Sequence, residues 1–384
     1  MALSDKISLA MVAGEVSGDL LGARLLSGLR TQVPNAEIYG VGGSAMAQCG
    51  FESRFPMARL TVRGLFEVIP RYSELKRIQQ ALYGEIVTKR PSVFVGIDYP
   101  GFNLRLEERL KQVGIPTLHF ISPQIWAWRG GRIKQIQRSV SHMLVIFPFE
   151  ELLYRSAGVP VTYVGHPLAQ VIPLEPDVAA ARRQLDVGEN ERVVALLPGS
   201  RMSEIKNHAV LFVQTARLLL QRDSKLKFVV PLVNDELEAY FVQLIAKAQL
   251  QDVPLSLVKN QSYTVLAAAD AVLTASGTAS LEAALFKKPM VIVYKMLVAT
   301  WGVMKCMVHY QPWVGLPNIL ANEGLVPEFI QWDATPAALA DAMWQQLEDV
   351  LGQQYLKQRF LEIHHYLLRD TAKESAEVVL SLVK

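Results

Sequence analysis

The apolar strand candidate at residues 93–98 ends in a single carboxylate, Asp98, and a Pro–Gly turn follows it. A carboxylate at the end of a buried strand is partly desolvated and faces the edge of the sheet where ligands bind. Asp98 can therefore serve as a general base. The alternative is that Asp98 caps a helix that begins near Phe102, which is a common role for aspartate.

The loop at residues 13–19 also joins a strand to a helix, which we expect to begin near Asp19. Exposed backbone N–H groups and the positive end of the helix favour a bound anion, and Glu15 places a carboxylate beside them. Residues 40–45 come nearest to a dinucleotide-binding fingerprint. Because they follow the second strand, where that fingerprint does not occur, we interpret them as a tight turn.

Two loops in the second half of the chain also run from a strand into a helix and could bind a ligand. Residues 196–201 run from a strand through Gly199 and Ser200 to Arg201, which offers backbone donors and a guanidinium to a phosphate or diphosphate. Residues 274–280 are small and let a ligand approach a helix start, and the carboxylate of Glu282 suits the two hydroxyls of a ribose. The alternatives are an arginine in a surface turn and a solvated helix glutamate.

The elements that must position these loops are short Val-, Ile- and Leu-rich runs that alternate with amphipathic stretches. This alternation predicts an α/β fold with two successive doubly wound, Rossmann-like domains that face a cleft. We place the domains at residues 1–170 and 171–335, because Gly165 to Pro176 interrupts the pattern. Residues 336–384 are helical only, and we expect them to pack back on the first domain or on a partner subunit.

Composition excludes several classes of protein. The 384 residues are 51% hydrophobic and 20% charged, which excludes disordered and fibrous chains, and a net charge of +3 argues against nucleic-acid binding. No metal-ligand spacing occurs, so we expect no metal. No apolar run is long enough to span a membrane. The first apolar run, residues 7–13, lacks the features of a signal peptide, which predicts a cytoplasmic protein.

One segment carries an excess of positive charge. Residues 54–90 contain eight basic and three acidic side chains, a local excess of +5. Within residues 60–78 the basic residues are interspersed with an apolar set: Leu65, Phe66, Val68, Ile69, Tyr72 and Leu75. This mixture predicts a helix that inserts into an anionic membrane surface, and the alternative is an amphipathic helix of the core.

Eight short motifs resemble one family, the lipid-A-disaccharide synthases, which are bacterial glycosyltransferases of outer-membrane lipid assembly. They are AGEVSGD at 13–19, FVGIDYPGFN at 94–103, SPQIWAWR at 122–129, FPFE at 147–150, VGHPL at 164–168, LLPGSR at 196–201, SGTASLE at 276–282 and LPNIL at 316–320. They occur in the family's order and nearly span the chain. One departure is Gln124, where the family pattern leads us to expect a small residue.

The resemblance implies the two-domain glycosyltransferase type B (GT-B) fold and an inverting reaction without a cofactor or metal. UDP-2,3-diacylglucosamine would react with 2,3-diacylglucosamine 1-phosphate (lipid X) to give the β-1,6 disaccharide 1-phosphate and UDP. Asp98 would be the base. Arg201, with the Gly199–Ser200 turn, would stabilise the UDP leaving group, and Glu282 would hold the ribose.

The remaining implied residues fall into two groups. Ser276, Gly277, Thr278 and Asn318 would contact the UDP-sugar, whereas Gly14, Glu15, Ser17 and Gly18 would lie near the acceptor or the donor diphosphate, with Glu15 in a catalytic role. The resemblance also implies a homodimer with exchanged C-terminal helices. It places the protein on the cytoplasmic face of the inner membrane.

Two other functions stay open at this point. A UDP-sugar 2-epimerase would use a similar two-domain fold and UDP site but would need no acyl-chain or membrane contact. A non-catalytic lipid or nucleotide carrier would bind UDP without forming a disaccharide.

Overall fold

The computed structural model describes residues 7–60, 65–123, 125, 130–296 and 312–383, without the side chains of residues 65–71 and 130. It divides into two compact units. Unit 1 is Met1–Pro167 with Leu367–Lys384, and unit 2 is Leu168–Tyr366. The division lies close to the boundary that we expect near residue 170. Gln124 lies outside the described residues.

Unit 1 contains a parallel sheet with strand order β3-β2-β1-β4-β5-β6-β7. Its strands are β1 (Ser8–Ala13), β2 (Glu37–Val41), β3 (Glu52–Ser53), β4 (Val93–Ile97), β5 (Thr117–Phe120), β6 (His142–Val145) and β7 (Val161–Tyr163). Its helices before the chain passes to unit 2 are α1 (Val16–Gln32), α2 (Ser44–Gln48), α3 (Leu65–Lys89), α4 (Pro100–Gln112), α5 (Ile133–Ser139) and α6 (Pro148–Ser156). Helix α7 (Pro167–Val171) begins at the boundary and continues into unit 2.

Unit 2 contains a second parallel sheet, with strand order β10-β9-β8-β11-β12-β13. The strands are β8 (Val193–Leu197), β9 (Lys227–Leu232), β10 (Leu255–Lys259), β11 (Ala271–Ala275), β12 (Met290–Tyr294) and β13 (Glu328–Ile330). The later helices are α8 (Val178–Gln184), α9 (Met202–Arg222), α10 (Asp235–Lys247), α11 (Ser262–Ala268), α12 (Thr278–Leu285), α13 (Leu316–Ala321), α14 (Pro336–Glu348), α15 (Val350–Leu367) and α16 (Thr371–Ser381). The predicted α/β fold with two doubly wound sheets is confirmed.

Strand register brings the candidate loops of each unit together. In unit 1, Ala13 of β1 pairs with Ile97 of β4, so the loop after Ala13 lies beside the loop that begins at Asp98. In unit 2, Leu197 of β8 pairs with Thr274 of β11. β4 and β8 are entirely buried and apolar, as central parallel strands covered by helices on both faces are.

The C-terminal residues do not form the single block that we expect for residues 336–384. Leu339, Ala340 and Met343 of α14 belong to the apolar core of unit 2. The expectation that residues 336–384 pack back on the first domain or on a partner subunit does not describe α14, because α14 contacts β11 and β12 of unit 2. Only the last segment returns to unit 1, where α16 packs on α1.

The proposed membrane segment is described only in part. Leu60 and Ile78 at its ends are buried, and Leu75 packs against the core of unit 1. Leu75 therefore fits the core alternative. Tyr72 is exposed, whereas the side chains of Leu65, Phe66, Val68 and Ile69 lie outside the described residues. No described helix is long and apolar enough to cross a membrane.

Asp19 shapes the turn after β2. Helix α1 begins at Val16, three residues before the predicted start, so Asp19 lies within its first turn. Its carboxylate is buried and accepts the backbone N–H groups of Gly43 at 2.8 Å, Ala45 at 2.9 Å and Met46 at 3.1 Å. Residues 42–46 are therefore held by a protein carboxylate, in agreement with their interpretation as a tight turn.

We predict that Asp19→Ala lowers the free energy of unfolding by about 2 to 3 kcal/mol, because one buried and two partly buried N–H donors lose a charged acceptor. Urea unfolding measures the change. Asp341→Ala is the control, since it removes an exposed carboxylate whose partner is Arg222, and such a pair contributes about 0 to 1 kcal/mol. Equal effects of the two substitutions would contradict this role of Asp19.

Candidate active site

Asp98 and Tyr99 form a strained turn at the end of β4. Both have left-handed backbone conformations, with φ of 50° and 47°. Non-glycine residues rarely adopt such values, and they cluster at functional sites. Helix α4 begins at Pro100 with Tyr99 at its N-cap, and no side chain in the described part of the chain caps it. Asp98 therefore does not have the capping role that the sequence left open, and its side chain is only partly buried.

The loop after β1 lies against this turn. A Cβ atom on Gly14 would lie 2.5 Å from Cδ1 of Tyr99, so only glycine fits there. The Tyr99 hydroxyl donates to the Leu60 carbonyl at 2.9 Å. Burial, and next the nearby charge of Glu15, raise the pKa of Tyr99. Gly14, Glu15 and Asp98 thus come together at one edge of the unit 1 sheet.

Ser17 and Gly18 lie on the first turn of α1 and face different surroundings. Ser17 is exposed, whereas Gly18 is buried. A Cβ atom on Gly18 would lie 3.4 Å from the carbonyl oxygen of Ile97, the residue before Asp98. Gly18 therefore allows α1 to approach the end of β4 closely.

At the start of α9, the backbone N–H groups that we expect to bind an anion already donate to Glu204, a residue that the sequence analysis did not single out. One carboxylate oxygen of Glu204, Oε2, accepts the backbone N–H groups of Ser200 at 2.8 Å and Arg201 at 3.3 Å. The other, Oε1, accepts the Arg201 guanidinium at 3.1 Å. Gly199 has φ of 121°, and a Cβ atom there would lie 2.3 Å from Cβ of Glu204. The turn is therefore built around Glu204, while the Arg201 side chain remains 78% exposed.

The start of α12 is different, because among the residues that the structure describes no side chain caps it. Its N-cap is Gly277, where a Cβ atom would meet nothing within 4 Å among the described residues. Thr278 is exposed. The Ser276 hydroxyl donates to the Val314 carbonyl at 3.2 Å, and the Ser280 hydroxyl donates to the Gly277 carbonyl at 2.7 Å. The first turn of this helix is thus open to an anion.

Glu282 lies one turn further along α12 and is mostly buried. Burial raises the pKa of its carboxyl group to about 7. A carboxyl group with this pKa gains stability as a carboxylate when hydroxyl donors reach it. The position therefore suits a ligand that carries adjacent hydroxyl groups.

Asn318 is not at the surface, so the expectation of a direct UDP-sugar contact needs correction. It is 1% exposed, and its Nδ2 donates to the Val326 carbonyl at 2.9 Å and to Glu328 Oε1 at 2.8 Å. Its Oδ1 accepts the Val326 N–H at 3.0 Å. In this structure the amide is fully used within the protein.

Glu328, which the sequence did not single out, is the partner that gives Asn318 its role. Besides Asn318, it accepts the N–H groups of Val314 at 2.8 Å and Gly315 at 2.9 Å. Burial raises the pKa of Glu328 and these hydrogen bonds lower it, with burial the larger effect. Asn318 and Glu328 together hold the loop whose Val314 carbonyl bonds to Ser276.

Comparison with known proteins assigns the chain. The family model for lipid-A-disaccharide synthetase matches residues 9–382. The chain belongs to the lipid-A-disaccharide synthase family. A lipid-A-disaccharide synthase of Azoarcus sp. (strain BH72) is 51% identical over 372 residues, which are 97% of this chain and 95% of the relative. The protein is therefore an enzyme of lipid A biosynthesis, a glycosyltransferase of EC class 2.4.

Solved structures agree on the GT-B fold. A glycosyltransferase from Rickettsia africae has a TM-score of 0.59 at 12% identity, covering 99% of both chains. A UDP-GlcNAc 2-epimerase from Neisseria meningitidis, bound to UDP-GlcNAc, has a TM-score of 0.62 at 11% identity, covering 98% of this chain and 99% of the epimerase. The epimerase alternative thus rests on a shared fold, and membership of an enzyme family removes the support for a non-catalytic carrier.

The raised pKa of Glu282 predicts a pH effect on stability. Since its pKa is raised to about 7 from 4.5, Glu282 retains a proton in the folded chain that the unfolded chain releases. The stabilisation from this difference is fully present below pH 4.5 and is lost as the pH rises through 7. As the pH rises from 5 to 8, the free energy of unfolding of Glu282→Gln, measured with urea, should therefore increase relative to that of the unmodified chain.

Glu236→Gln, which changes an exposed carboxylate on α10, is the control for this experiment. Its free energy of unfolding should differ from that of the unmodified chain by the same amount at pH 5 and at pH 8. A Glu282→Gln variant that behaves in the same way would contradict the assignment of a pKa near 7.

Proposed function

We propose that this enzyme transfers 2,3-diacylglucosamine from UDP to the 6-hydroxyl of lipid X, giving the β-1,6-linked disaccharide 1-phosphate and UDP. The observation that carries the proposal is the 51% identity to a lipid-A-disaccharide synthase over 97% of the chain. The separate loop clusters of the two units support it, because the unit 1 cluster carries the carboxylates of Asp98 and Glu15 and the unit 2 cluster carries partners for an anion and for hydroxyl groups.

Asp98 is the proposed base. In an inverting displacement, the acceptor oxygen forms a bond to C1 of the donor sugar as the bond from C1 to the phosphate oxygen breaks. The electron pair of that bond goes to UDP, and the proton of the acceptor hydroxyl goes to a carboxylate oxygen of Asp98. Gly14, Glu15, Ser17 and Gly18 border this position in unit 1.

Arg201 and the start of α12 are the proposed diphosphate partners. The N–H groups at the start of α9 already bond to Glu204, whereas α12 has no side-chain cap. A guanidinium has five N–H donors, so the bond from Arg201 to Glu204 leaves others for a phosphate. Gly199 and Ser200 then shape the turn that carries Arg201, Gly277 and Thr278 offer the open helix start, and Glu282 binds the ribose.

The transfer reaction itself tests the proposal. Incubation with UDP-2,3-diacylglucosamine and lipid X, followed by mass spectrometry, should yield the disaccharide 1-phosphate and UDP in equal amounts. Incubation with UDP-N-acetylglucosamine alone should leave that sugar unchanged. Epimerisation of UDP-N-acetylglucosamine without disaccharide formation would overturn the proposal in favour of the epimerase.

For the base, we predict that Asp98→Asn lowers turnover by about 10²- to 10⁴-fold, because the amide keeps the shape but cannot accept the proton. UDP binding, measured by calorimetry, should change little, because the proposed UDP residues belong to unit 2. Asp186→Asn is a matched control, since Asp186 also has a positive φ, of 54°, but lies in the loop after α8. Turnover of Asp98→Asn within about threefold of the unmodified enzyme would reject Asp98 as the base.

We also propose that the enzyme binds the cytoplasmic face of the inner membrane through the apolar set of residues 65–72, because both substrates carry acyl chains. Part of the nearby positive charge is already paired. Arg54 forms an ion pair with Glu85 at 2.9 Å, and Arg59 forms an ion pair with Glu74 at 2.7 Å. Leu75 packs on the core, so insertion would depend on Phe66, Val68 and Ile69 more than on charge.

The combined substitution of Phe66, Val68 and Ile69 by Ser should abolish sedimentation with anionic vesicles at any salt concentration. Salt alone should release the unmodified enzyme only partially, because it screens about 1 kcal/mol per basic residue and leaves the apolar contribution. The control replaces the exposed Leu152, Val178 and Val242 by Ser. A folded Phe66/Val68/Ile69 variant that binds vesicles as tightly as the control would exclude this surface.

A homodimer with exchanged C-terminal helices is the remaining part of the proposal. Helix α16 packs on α1 of its own chain, where a Cβ atom on Gly28 would lie 2.1 Å from the Ala372 carbonyl. An exchange would replace this contact by the same contact from a second copy.

A further inference from the structure

Three polar side chains without a role in the proposed reaction are fully buried near Asp98. Asn103 and Glu107 lie one turn apart on α4, and His119 lies on β5, beside β4. All three are 0% exposed. Burial of polar groups is unfavourable unless they form hydrogen bonds, so their presence at this place needs an explanation.

Asn103 connects the ends of two neighbouring strands. Its Nδ2 donates to the carbonyl oxygens of Asp98 at 2.9 Å, Val12 at 3.1 Å and Ile97 at 3.3 Å. Val12 belongs to β1, and Ile97 is the last residue of β4. One amide group therefore fixes three carbonyl groups at the point where the chain enters the left-handed turn of Asp98 and Tyr99.

Glu107 and His119 pack behind Asn103. Glu107 Oε1 lies 2.7 Å from His119 Nδ1. A Cβ atom on Gly96 would lie 2.1 Å from Glu107 Oε1 and 3.0 Å from Cβ of Asn103, so the space for both side chains depends on a glycine in β4. This explains the positions of Gly96, Asp98 and Asn103 within the segment at residues 94–103.

The backbone of Asp98 is held from two sides. Its N–H donates to the Phe120 carbonyl of β5 at 2.9 Å, and its carbonyl accepts from Asn103. Two successive non-glycine residues with positive φ are unfavourable, so the turn persists only where surrounding contacts determine it. Asn103 supplies the contact on the carbonyl side.

We propose that Asn103 is a positioning residue, which holds the Asp98–Tyr99 turn so that the Asp98 carboxylate meets the acceptor hydroxyl. The inference rests on the proposed function of Asp98 as the base. Displacement of a catalytic group by about 1 Å can cost on the order of 10²-fold in rate, so a change at Asn103 acts on turnover without touching a substrate.

Asn103→Asp is the main test, because it keeps the side-chain shape but replaces the donor by an acceptor that faces three carbonyl groups. We expect kcat to fall about 10- to 100-fold while the affinity for UDP stays the same. Asn103→Ser removes the amide without placing a charge in the core and should give a smaller loss in the same direction. Asn260→Asp, an exposed asparagine with φ of 53°, is the matched control and should leave kcat unchanged.

A double-mutant cycle with Asp98→Asn separates positioning from general destabilisation. If Asn103 acts through Asp98, Asn103→Ser should slow the Asp98→Asn enzyme no further. The inference would be overturned if Asn103→Ser slowed the Asp98→Asn enzyme as much as it slows the unmodified enzyme. It would also be overturned if both Asn103→Ser and Asn103→Asp folded and kept kcat within about threefold of the unmodified enzyme. A small effect of Asp98→Asn alone would instead reject the proposed base.

Discussion

Carboxylate side chains that accept backbone N–H groups shape the loops of both units. Asp19 binds three N–H groups of the turn after β2, and Glu204 binds two at the start of α9. Glu328 binds two more in the loop before α13, and Asp270 accepts the N–H of Val193 at 2.7 Å. A charge-assisted hydrogen bond of this kind is stronger than a neutral one, so these loops have defined shapes before any substrate binds.

The same interaction distinguishes the two helix starts that could receive a diphosphate. Both follow neighbouring strands of the unit 2 sheet, and by sequence both offer glycine, small residues and backbone donors. Glu204 already neutralises the donors at the start of α9 and leaves the Arg201 side chain exposed. The start of α12 has no such carboxylate at its N-cap, and Glu282 lies one turn further on. We therefore propose a side-chain role for Arg201 and a backbone role for the start of α12.

Strands and long helices follow from the sequence because apolar runs and helical periodicity are local signals. The edge strands β3 and β13 escaped prediction because they have two and three residues and no apolar run. Local spacing also could not reveal the bond between Asn318 and Glu328, or that between Asp19 and Gly43, since folding alone brings these residues together. The sequence signal for Glu204 is incomplete, because a capping box pairs the glutamate with a Ser or Thr three residues earlier and this chain has Arg201 there.

A crystal structure of the enzyme with UDP tests the central claim most directly, because it locates the diphosphate relative to the two helix starts. The account predicts phosphate oxygens about 3 Å from the backbone nitrogens of Thr278 or Ala279 and from the Arg201 guanidinium. Glu204 should still bond to the Ser200 N–H. A diphosphate on the N–H groups of Ser200 and Arg201, with Glu204 displaced, would contradict it.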